Sequence, residues 1–351
     1  MSSMPMSDAA SSAAAAPPVI GVPGHITPTV ACIALPLPLP DLQVVNSYVV
    51  LGRDGLTLID PGWAYPPAEA ALTDALHQLG YSVGDIRRIV ATHQHWDHYS
   101  LGVRWRDQHG MELLLGAGER HSLEAFARQP DTVHPTQVGM LTRAGAPNLA
   151  RQIAGLAWEP YELGVAFDAP DRWLNDGEVL CCGDGTLVVR ETPGHTRGHV
   201  VFSDADQQLV FSGDHLLPRI TPSIAFERDP EPLPLRSYLD SLALMLDLPD
   251  ARMLPAHGHT AGRTRARARE LVDHHRQRLN RVSDLVGAGY ATGLEVAEQM
   301  RWTRRERRLA ELDIVHQMTA VLEVAAHLDL LAVQNELTVH DQDGVRYFSL
   351  P

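Results

Sequence analysis

The side chains of this 351-residue chain that are best suited to chemistry are concentrated in one short segment. Residues 93–98 read HQHWDH, an HxHxDH pattern that places four metal-competent side chains within six positions. Imidazole and carboxylate ligands without a thiolate suit Zn²⁺, Fe²⁺ and Mn²⁺, so the ligand types leave the metal open among these ions. The pattern predicts a metal site to which His93, His95, Asp97 and His98 contribute.

Five separated motifs, in order along the chain, carry a resemblance to a known family. They are LIDPG at residues 58–62, the HxHxDH cluster, TPGHTRGH at residues 192–199, FSGD at residues 211–214 and PAHG at residues 255–258. With these motifs the region from about residue 32 to residue 281 resembles the metallo-β-lactamase superfamily. The resemblance implies an α+β fold, an αββα sandwich whose two β-sheets face each other and whose metal loops lie along one edge.

The resemblance also implies how the ligands divide between two metal ions. One ion would be held by three histidines: His93, His95 and His195. The other would be held by a mixed set: Asp97, His98 and His257. Asp214 and a water would bridge the two ions, and Asp60 would support the metal loop by hydrogen bonding. Two divalent ions are therefore the expected cofactor, with Zn²⁺ favoured over Fe and Mn.

A pair of cations held in this way would supply a hydrolytic nucleophile. A cation lowers the pKa of bound water toward about 7, and two cations together can hold a bridging hydroxide and polarise a carbonyl or phosphoryl oxygen. Asp97 would touch both metal and nucleophile, so it could orient the hydroxide or carry a proton as the candidate catalytic residue. No serine, cysteine or lysine nucleophile is required.

Three residues beside the motifs are candidates for supporting a ligand or contacting substrate. His199 lies four positions after His195 and could fix the ring of a ligand by a hydrogen bond, or simply pack at the start of a strand. His215 follows Asp214 and could face the pocket. Tyr99 borders the HxHxDH cluster and could contact substrate, with local packing as the alternative.

The charge of the chain favours a small-molecule substrate over nucleic acid. The formal net charge is −14, which opposes binding that draws its affinity from neutralising phosphates. All 29 basic residues are arginines, so mechanisms that require a catalytic lysine are excluded. We expect a small organic substrate and no nucleic-acid partner.

The elements that must position these residues can be predicted from the apolar pattern in the first half of the chain. Residues 43–51 and 55–59 are rich in β-branched residues and predict a hairpin, followed by a helix over 66–79. A buried strand over 86–91 leads straight into the HxHxDH cluster, which places that cluster on a loop. Residues 118–158 form a mostly helical stretch that could roof a pocket.

The second half first returns to strands, predicted at 186–191, 199–203 and 208–211, whose ends carry candidate ligands. Helices are then predicted over 233–248 and 263–286. The chain would end with helices at 294–300 and 304–331 and a hairpin of 336–340 with 345–348. This layout suggests a small helical, winged-helix-like C-terminal module that could close the pocket or form a homo-oligomer interface.

These patterns predict three parts: a disordered tail over 1–18, a catalytic domain over 19–290 and the C-terminal module over 291–351. The three cysteines include no CxxC pair, which fits a reducing cytoplasm. No segment has the roughly 20 consecutive apolar residues that a membrane span requires. We therefore expect a soluble protein with no membrane partner.

The residue types also indicate which reactions this site favours. Asp214 stands where the best-known zinc β-lactamases carry a cysteine, which disfavours antibiotic hydrolysis as the main activity. The aspartate is similar to the pattern of glyoxalase II, lactonase and thioesterase members, although the lysine by which glyoxalase II enzymes grip glutathione is absent. We expect hydrolysis of an ester, thioester or lactone. The alternatives are a metal-dependent nuclease or phosphodiesterase, a mononuclear-iron oxidoreductase similar to persulfide dioxygenases, and a non-catalytic interaction module.

Overall fold

A computed structural model describes residues 19–39, 42–129, 131–183, 185–224 and 226–351. The predicted N-terminal tail, residues 1–18, lies outside the described residues. Two β-sheets lie face to face in the described chain, and helices cover their outer faces. The αββα sandwich expected from the motifs is therefore confirmed.

The first sheet is built from seven strands that follow one another in chain order. Its strands are β1 Gly24–Thr27, β2 Val30–Pro36, β3 Val44–Val50, β4 Leu56–Ile59, β5 Ile86–Ala91, β6 Glu112–Gly116 and β7 Arg172–Leu174. Strands β1 to β4 pair antiparallel, and β4 to β7 pair parallel. The pairing of Tyr48 with Ile59 confirms the hairpin predicted between β3 and β4.

The second sheet has five strands in the order β12-β11-β10-β9-β8. They are β8 Val179–Cys182, β9 Gly185–Glu191, β10 Val200–Asp204, β11 Leu209–Gly213 and β12 Arg252–Pro255. Strands β8 to β11 pair antiparallel, whereas β11 and β12 pair parallel. A separate hairpin near the C-terminus consists of β13 Thr338–Gln342 and β14 Val345–Ser349, close to its predicted bounds.

The helices connect the strands and pack on the outside of the sandwich. They are α1 Pro66–Gln78, α2 Trp96–His109, α3 Arg120–Arg128, α4 Pro135–Arg143, α5 Pro147–Ala154, α6 Pro234–Asp247, α7 Thr264–Gly287, α8 Gly293–Gln299 and α9 Ile314–Val333. Helix α1 begins at a proline, which has no backbone N–H to leave unpaired in the first turn. Helix α2 ends where Gly110 adopts a left-handed φ of 77° and donates to the Arg106 carbonyl.

Three apolar layers follow from this arrangement. The middle layer lies between the sheets and includes Tyr48 from the first sheet and Phe202 and Phe211 from the second, all buried. The outer face of the first sheet packs against α1 and α2. The outer face of the second sheet packs against α6 and α7, with Ala326 and Leu330 of α9 joining this layer. Burial on both faces explains why β2 and β3 consist almost wholly of buried residues.

A further core joins the C-terminal residues to helices that precede residue 290. Leu141 of α4, Ile153 of α5 and Val282 of α7 lie in one apolar cluster with Val321 and Leu328 of α9. The predicted domain boundary at residue 290 stays a prediction, and so does the winged-helix-like character of the module. Apolar packing is continuous across that boundary.

Two predicted helix boundaries are wrong. The helix predicted from residue 304 begins at Ile314, because the Asp313 carboxylate caps it by accepting from the backbone N–H groups of Val315 and His316. Thr303 before it has a positive φ of 61°, which no helix allows. In addition, α2 begins at Trp96, so the second half of the HxHxDH cluster lies in the first turn of a helix rather than on a loop.

Within the described residues, α9 is long and apolar enough to cross a membrane by length and composition. The same helix supplies Met318, Val321, Leu322 and Leu328 to the apolar cluster that it shares with α4, α5 and α7. Its apolar character is accounted for by this packing.

Candidate metal centre

The seven side chains predicted as ligands come together at one edge of the sandwich. Three groups of three have ligand atoms within 4.8 Å of one another: His93 with His95 and His195, His93 with His98 and Asp214, and Asp97 with His98 and His257. Residues 93–98 follow β5, and the other ligands follow β9, β11 and β12. The clustered side chains thus lie at the carboxyl ends of strands from both sheets.

The first group is a convergence of three imidazole nitrogens. His95 Nδ1 lies 3.0 Å from His93 Nε2 and 3.1 Å from His195 Nε2. Burial is the largest cause that lowers the pKa of each of the three rings. The rings are therefore neutral at neutral pH, and their lone pairs are available to a cation.

The second group mixes carboxylate and imidazole. His257 Nε2 lies 3.3 Å from Asp97 Oδ2, and His98 Nε2 lies 3.6 Å from Asp97 Oδ1. Asp214 stands between the two groups: its Oδ1 lies 3.4 Å from His257 Nε2, and its Oδ2 lies 3.5 Å from His195 Nε2. One carboxylate thus faces both groups of ligands, which is the placement expected of a bridging ligand.

The charges within the second group reinforce one another. Burial opposes the charged form of His98, but the carboxylates of Asp97, Asp60 and Asp214 outweigh it and raise the pKa of His98 to about 10. Burial likewise opposes ionisation of Asp97, yet His98 and His257 bring the pKa of its carboxyl well below the ordinary value. The carboxylates thus favour positive charge at His98, and a bound cation would supply that charge in place of the His98 proton.

The donor atoms fit divalent cations. Among the described residues, His98 Nε2, His257 Nε2 and Asp214 Oδ1 are buried polar atoms without a hydrogen-bond partner. Leaving such atoms unpaired costs about 1–3 kcal/mol each, and more for charged groups. All three point into the same cluster, so cations shared among them would satisfy the atoms that the protein leaves unpaired.

Asp60 hydrogen-bonds to residues of this cluster, which is the role that the family resemblance implied. It has a positive φ of 52° at the end of β4, and its carboxylate accepts from Thr92 N at 2.7 Å, Thr92 Oγ1 at 2.9 Å and His98 Nδ1 at 3.0 Å. Because the Thr92 hydroxyl donates to Asp60, its oxygen accepts from His93 Nδ1 at 3.1 Å. Asp60 therefore orients one histidine directly and another through Thr92, leaving both Nε2 atoms aimed at the other clustered side chains.

Two other ligand rings are fixed by backbone carbonyls that no motif indicates. His195 Nδ1 donates to the Ser223 carbonyl at 2.6 Å, and His257 Nδ1 donates to the Val44 carbonyl at 2.8 Å. Each bond selects the tautomer whose Nε2 faces the cluster. No sequence signal could have identified these acceptors, because every residue carries the same carbonyl.

His199 is buried beside the ligands without being one of them. Its Nε2 accepts from the Asp214 backbone N–H at 3.2 Å, and its Nδ1 pairs with Thr192 Oγ1 at 2.9 Å. Since Nε2 accepts, Nδ1 carries the proton. His199 thus holds the backbone of Asp214 in place, whereas the sequence considered a bond to the ring of a ligand.

The remaining two candidates do not lie among the clustered ligand atoms. His215 is buried with its ring 5.3 Å from that of Tyr238, and burial lowers its pKa to about 3. Tyr99 is fully buried, and its hydroxyl donates to the Asp168 carbonyl at 2.7 Å. The packing alternative therefore describes Tyr99, and substrate contact does not.

A buried acidic pair behind the TPGHTRGH loop was missed by sequence reasoning. Glu119 accepts from the Thr196 hydroxyl, while Glu227 accepts from Ser122 Oγ at 2.6 Å and from the Arg197 backbone N–H at 2.9 Å. Burial raises the pKa of both carboxyls, that of Glu227 to about 7. Both hydrogen-bond to residues that directly follow His195. Neither glutamate belongs to a motif, so no sequence signal indicated this role.

All seven clustered side chains lie within the part of the chain that matches a family sequence profile. Residues 40–257 match the sequence profile of the Metallo-beta-lactamase superfamily. The chain belongs to this superfamily. Its fold agrees: a beta-lactamase domain protein from Burkholderia ambifaria superposes with a TM-score of 0.75 over 95% of each chain, at 27% sequence identity.

Several relatives in the superfamily are hydrolases. The probable metallo-hydrolase YqjP of Bacillus subtilis is 24% identical over 350 residues, 92% of this chain and 98% of that protein. A hydroxyacylglutathione hydrolase of Rhizobium etli is 28% identical over 61% of this chain and 62% of that enzyme. The bovine acyl-coenzyme A thioesterase MBLAC2 is 28% identical over 50% of this chain and 57% of that enzyme. These relatives support hydrolysis as the chemistry of this superfamily member.

Proposed function

We propose that this protein is a binuclear metallo-hydrolase, with Zn²⁺ as its metal, that cleaves an ester, thioester or lactone of a small organic substrate. The observation that carries the proposal is the position of Asp214, whose two carboxylate oxygens face the two groups of ligands at 3.4 and 3.5 Å. A single ion would leave part of this seven-residue ligand set unused.

Two divalent cations in this site would lower the pKa of bound water and polarise the scissile carbonyl. The protein's own side chains would then set the direction from which water attacks that carbonyl. Asp97 lies on the first turn of α2 with its carboxylate ionised, so it can accept a hydrogen bond from the attacking water and orient it. Asp60 and His199 hold the ligand loops rigid from behind.

Three features support acyl substrates over nucleic acid. The net charge of −14 repels polyphosphates, and the chain contains no lysine. The printed names of two relatives, a hydroxyacylglutathione hydrolase and an acyl-coenzyme A thioesterase, both denote enzymes that act on thioesters. The lack of lysine argues against a glutathione-binding site of the glyoxalase II kind, so a different thiol or alcohol is the better candidate for the leaving group.

The proposal is tested with a matched substrate panel. An aryl ester, an acyl thioester, a lactone, a cephalosporin, a phosphodiester and an RNA hairpin would be compared at equal protein concentration, with His257→Ala as the background. We expect the acyl substrates to be cleaved fastest and His257→Ala to abolish that cleavage. Faster cleavage of the phosphodiester or RNA, also lost in His257→Ala, would replace the proposal by the nuclease alternative.

A further inference from the structure

A cluster of aromatic side chains surrounds Trp96, a residue of the HxHxDH motif. Trp96 separates His95 from Asp97 in the chain, so its ring is tied to ligands of both metals. Its ring centroid lies 4.5 Å from Phe167, 5.6 Å from Trp63 and Trp158, and 6.0 Å from Phe126. We call Trp63, Trp96, Phe126, Trp158 and Phe167 the aromatic wall.

A sixth aromatic ring approaches the centre separately from this wall. Phe226 lies edge-on to the His95 ring, with a centroid distance of 6.2 Å, and 36% of its surface is exposed. His134 lies 5.5 Å from Phe226 on another side. Because part of the Phe226 ring is in contact with water, an apolar substrate group that covered it would gain free energy from burial of both surfaces.

Two basic side chains among the described residues lie beside Phe226 and the wall, and neither offers a substrate a free positive charge. The Arg228 guanidinium lies 4.3 Å from the Phe126 ring centroid, but it donates to the carbonyls of Gln129, Thr132 and Val133. Burial, together with Arg228, lowers the pKa of His134 to about 4, so that its ring is neutral at neutral pH. A carboxylate carried by a substrate would therefore find no partner among these groups.

We infer that Phe226 and the aromatic wall form the subsite for an uncharged, bulky apolar acyl group, which they hold next to the scissile carbonyl. The inference rests on the proposed hydrolase function and names its substrate class. Phe226 would cover the group from one side, and Trp96 would set its distance from the metals through the neighbouring ligands. Aromatic and alkyl groups both gain from such burial, whereas an acyl group bearing a carboxylate would lose hydration without a counter-charge.

The test uses four thioesters of one thiol: acetyl, hexanoyl, phenylacetyl and glutaryl. For the wild-type protein we expect kcat/KM to be about tenfold higher for hexanoyl and phenylacetyl than for acetyl, and lowest for glutaryl. Phe226→Ala is expected to reduce the preference for the two apolar groups severalfold, and Phe226→Leu to restore most of it. Phe226→Arg is expected to raise the glutaryl value relative to hexanoyl.

Val179→Ala is the matched control, because Val179 is 55% exposed on β8 of the second sheet and belongs to neither the wall nor the metal centre. It should retain the wild-type preference. Metal content and melting temperature are measured for every variant, so that a folding defect is recognised. Equal kcat/KM for all four thioesters, or an unchanged preference in Phe226→Ala, overturns the inference while leaving the hydrolase proposal intact. Failure to cleave any thioester with the metals bound counts against the hydrolase proposal instead.

Discussion

Two aspartates at the candidate metal centre have different contacts, although both lie close to His98. Asp214 faces the ligand groups themselves, whereas Asp60 contacts only Thr92 and the outer nitrogen of His98. Removing Asp214 would delete one of the proposed ligands. Removing Asp60 would leave the proposed ligands present but would free two of their rings to rotate.

We therefore expect Asp214→Ala and Asp60→Ala to have distinct effects. The wild-type protein should carry about two transition-metal ions per chain, and Asp214→Ala should lose both metal and activity. Asp60→Ala should keep the stoichiometry at saturating metal but bind about 10–100-fold more weakly, as is typical when the partner of a ligand is removed. Elemental analysis and titration against a chelating dye measure both quantities.

Two results would contradict these expectations. Equal metal retention by Asp214→Ala and the wild-type protein would remove Asp214 from the ligand set. A single iron per wild-type chain would favour the persulfide-dioxygenase-like alternative over the binuclear site. Asp74→Ala, at an exposed carboxylate on α1, serves as the control for loss of negative charge alone.

Loops that present ligands depend on close backbone contacts between elements. Gly198 follows His195 by three residues, and a Cβ atom there would lie 2.0 Å from Glu119 N and 2.3 Å from Gly118 C. These are backbone atoms, which cannot move aside as a flexible side chain can. The TPGHTRGH loop can therefore pack against residues 118–119 only if position 198 has no side chain.

We predict that Gly198→Ala lowers the free energy of unfolding by about 3 kcal/mol or more, with weaker metal binding because the His195 loop is displaced. Gly139→Ala is the control: it lies in α4 with nothing within 4 Å of the added atom, and it should stabilise by about 0.5–1 kcal/mol. Denaturant unfolding of the metal-loaded proteins checks both. Equal stability of the two variants would mean that the loop adapts without cost.

A buried histidine pair joins α7 to α9. His275 Nδ1 lies 3.3 Å from His327 Nε2, and His327 Nδ1 donates to the Glu323 carbonyl at 2.7 Å. His327 Nε2 must therefore accept from His275. Burial is the first cause that lowers the pKa of His275 to about 2 and that of His327 to about 4, so both are neutral in the folded protein.

This pair should make stability depend on pH in a defined window. Unfolding restores a pKa near 6.5, so the unfolded chain binds protons that the folded chain does not. The stability from the pair is fully present well above pH 6.5 and is lost as pH falls, down to about 4 for His327 and about 2 for His275, by about 1.5 kcal/mol per histidine between pH 6.5 and 5. Unfolding curves of the wild type and of the double variant His275→Gln/His327→Gln, across this range, measure the difference. Parallel pH profiles would refute the assignment.

The C-terminal residues share an apolar core with helices from earlier in the chain. The cluster that contains Val321 and Leu328 of α9 also contains Leu141, Ile153 and Val282, which precede residue 290. A cavity of about 670 Å³ lies between α4, α9, β13, β14 and residues 230–233, and none of the clustered metal ligands lines it.

We predict that a chain ending at residue 290 does not remain soluble and folded, because the apolar faces of α4, α5 and α7 would be exposed together. A chain beginning at Val19 serves as the control and should keep the stability and metal content of the full chain. Soluble yield and thermal unfolding measure both. A folded, metal-binding 19–290 fragment would instead establish the predicted boundary as a true domain limit.

The sequence predicted the seven side chains that cluster, four from the HxHxDH pattern and three from the family resemblance, and most of the strands that present them. This was achievable because a metal ligand requires a particular side chain, and because β-branched, apolar runs such as residues 44–50 form buried strands in many contexts. The motifs at residues 58–62 and 93–98 are local in the chain, so their spacing could be recognised without any knowledge of the fold.

Tertiary structure decided the features that depend on partners distant in sequence. The carbonyls of Val44 and Ser223 fix ligand rings, yet a backbone carbonyl has no identity that a sequence pattern can reveal. The Phe226 ring lies 6.2 Å from the His95 ring, and Trp96 meets Phe167, only because segments distant in sequence fold together. Residue types therefore determined which atoms could bind a metal, whereas long-range packing determined how those atoms are held and what surrounds them.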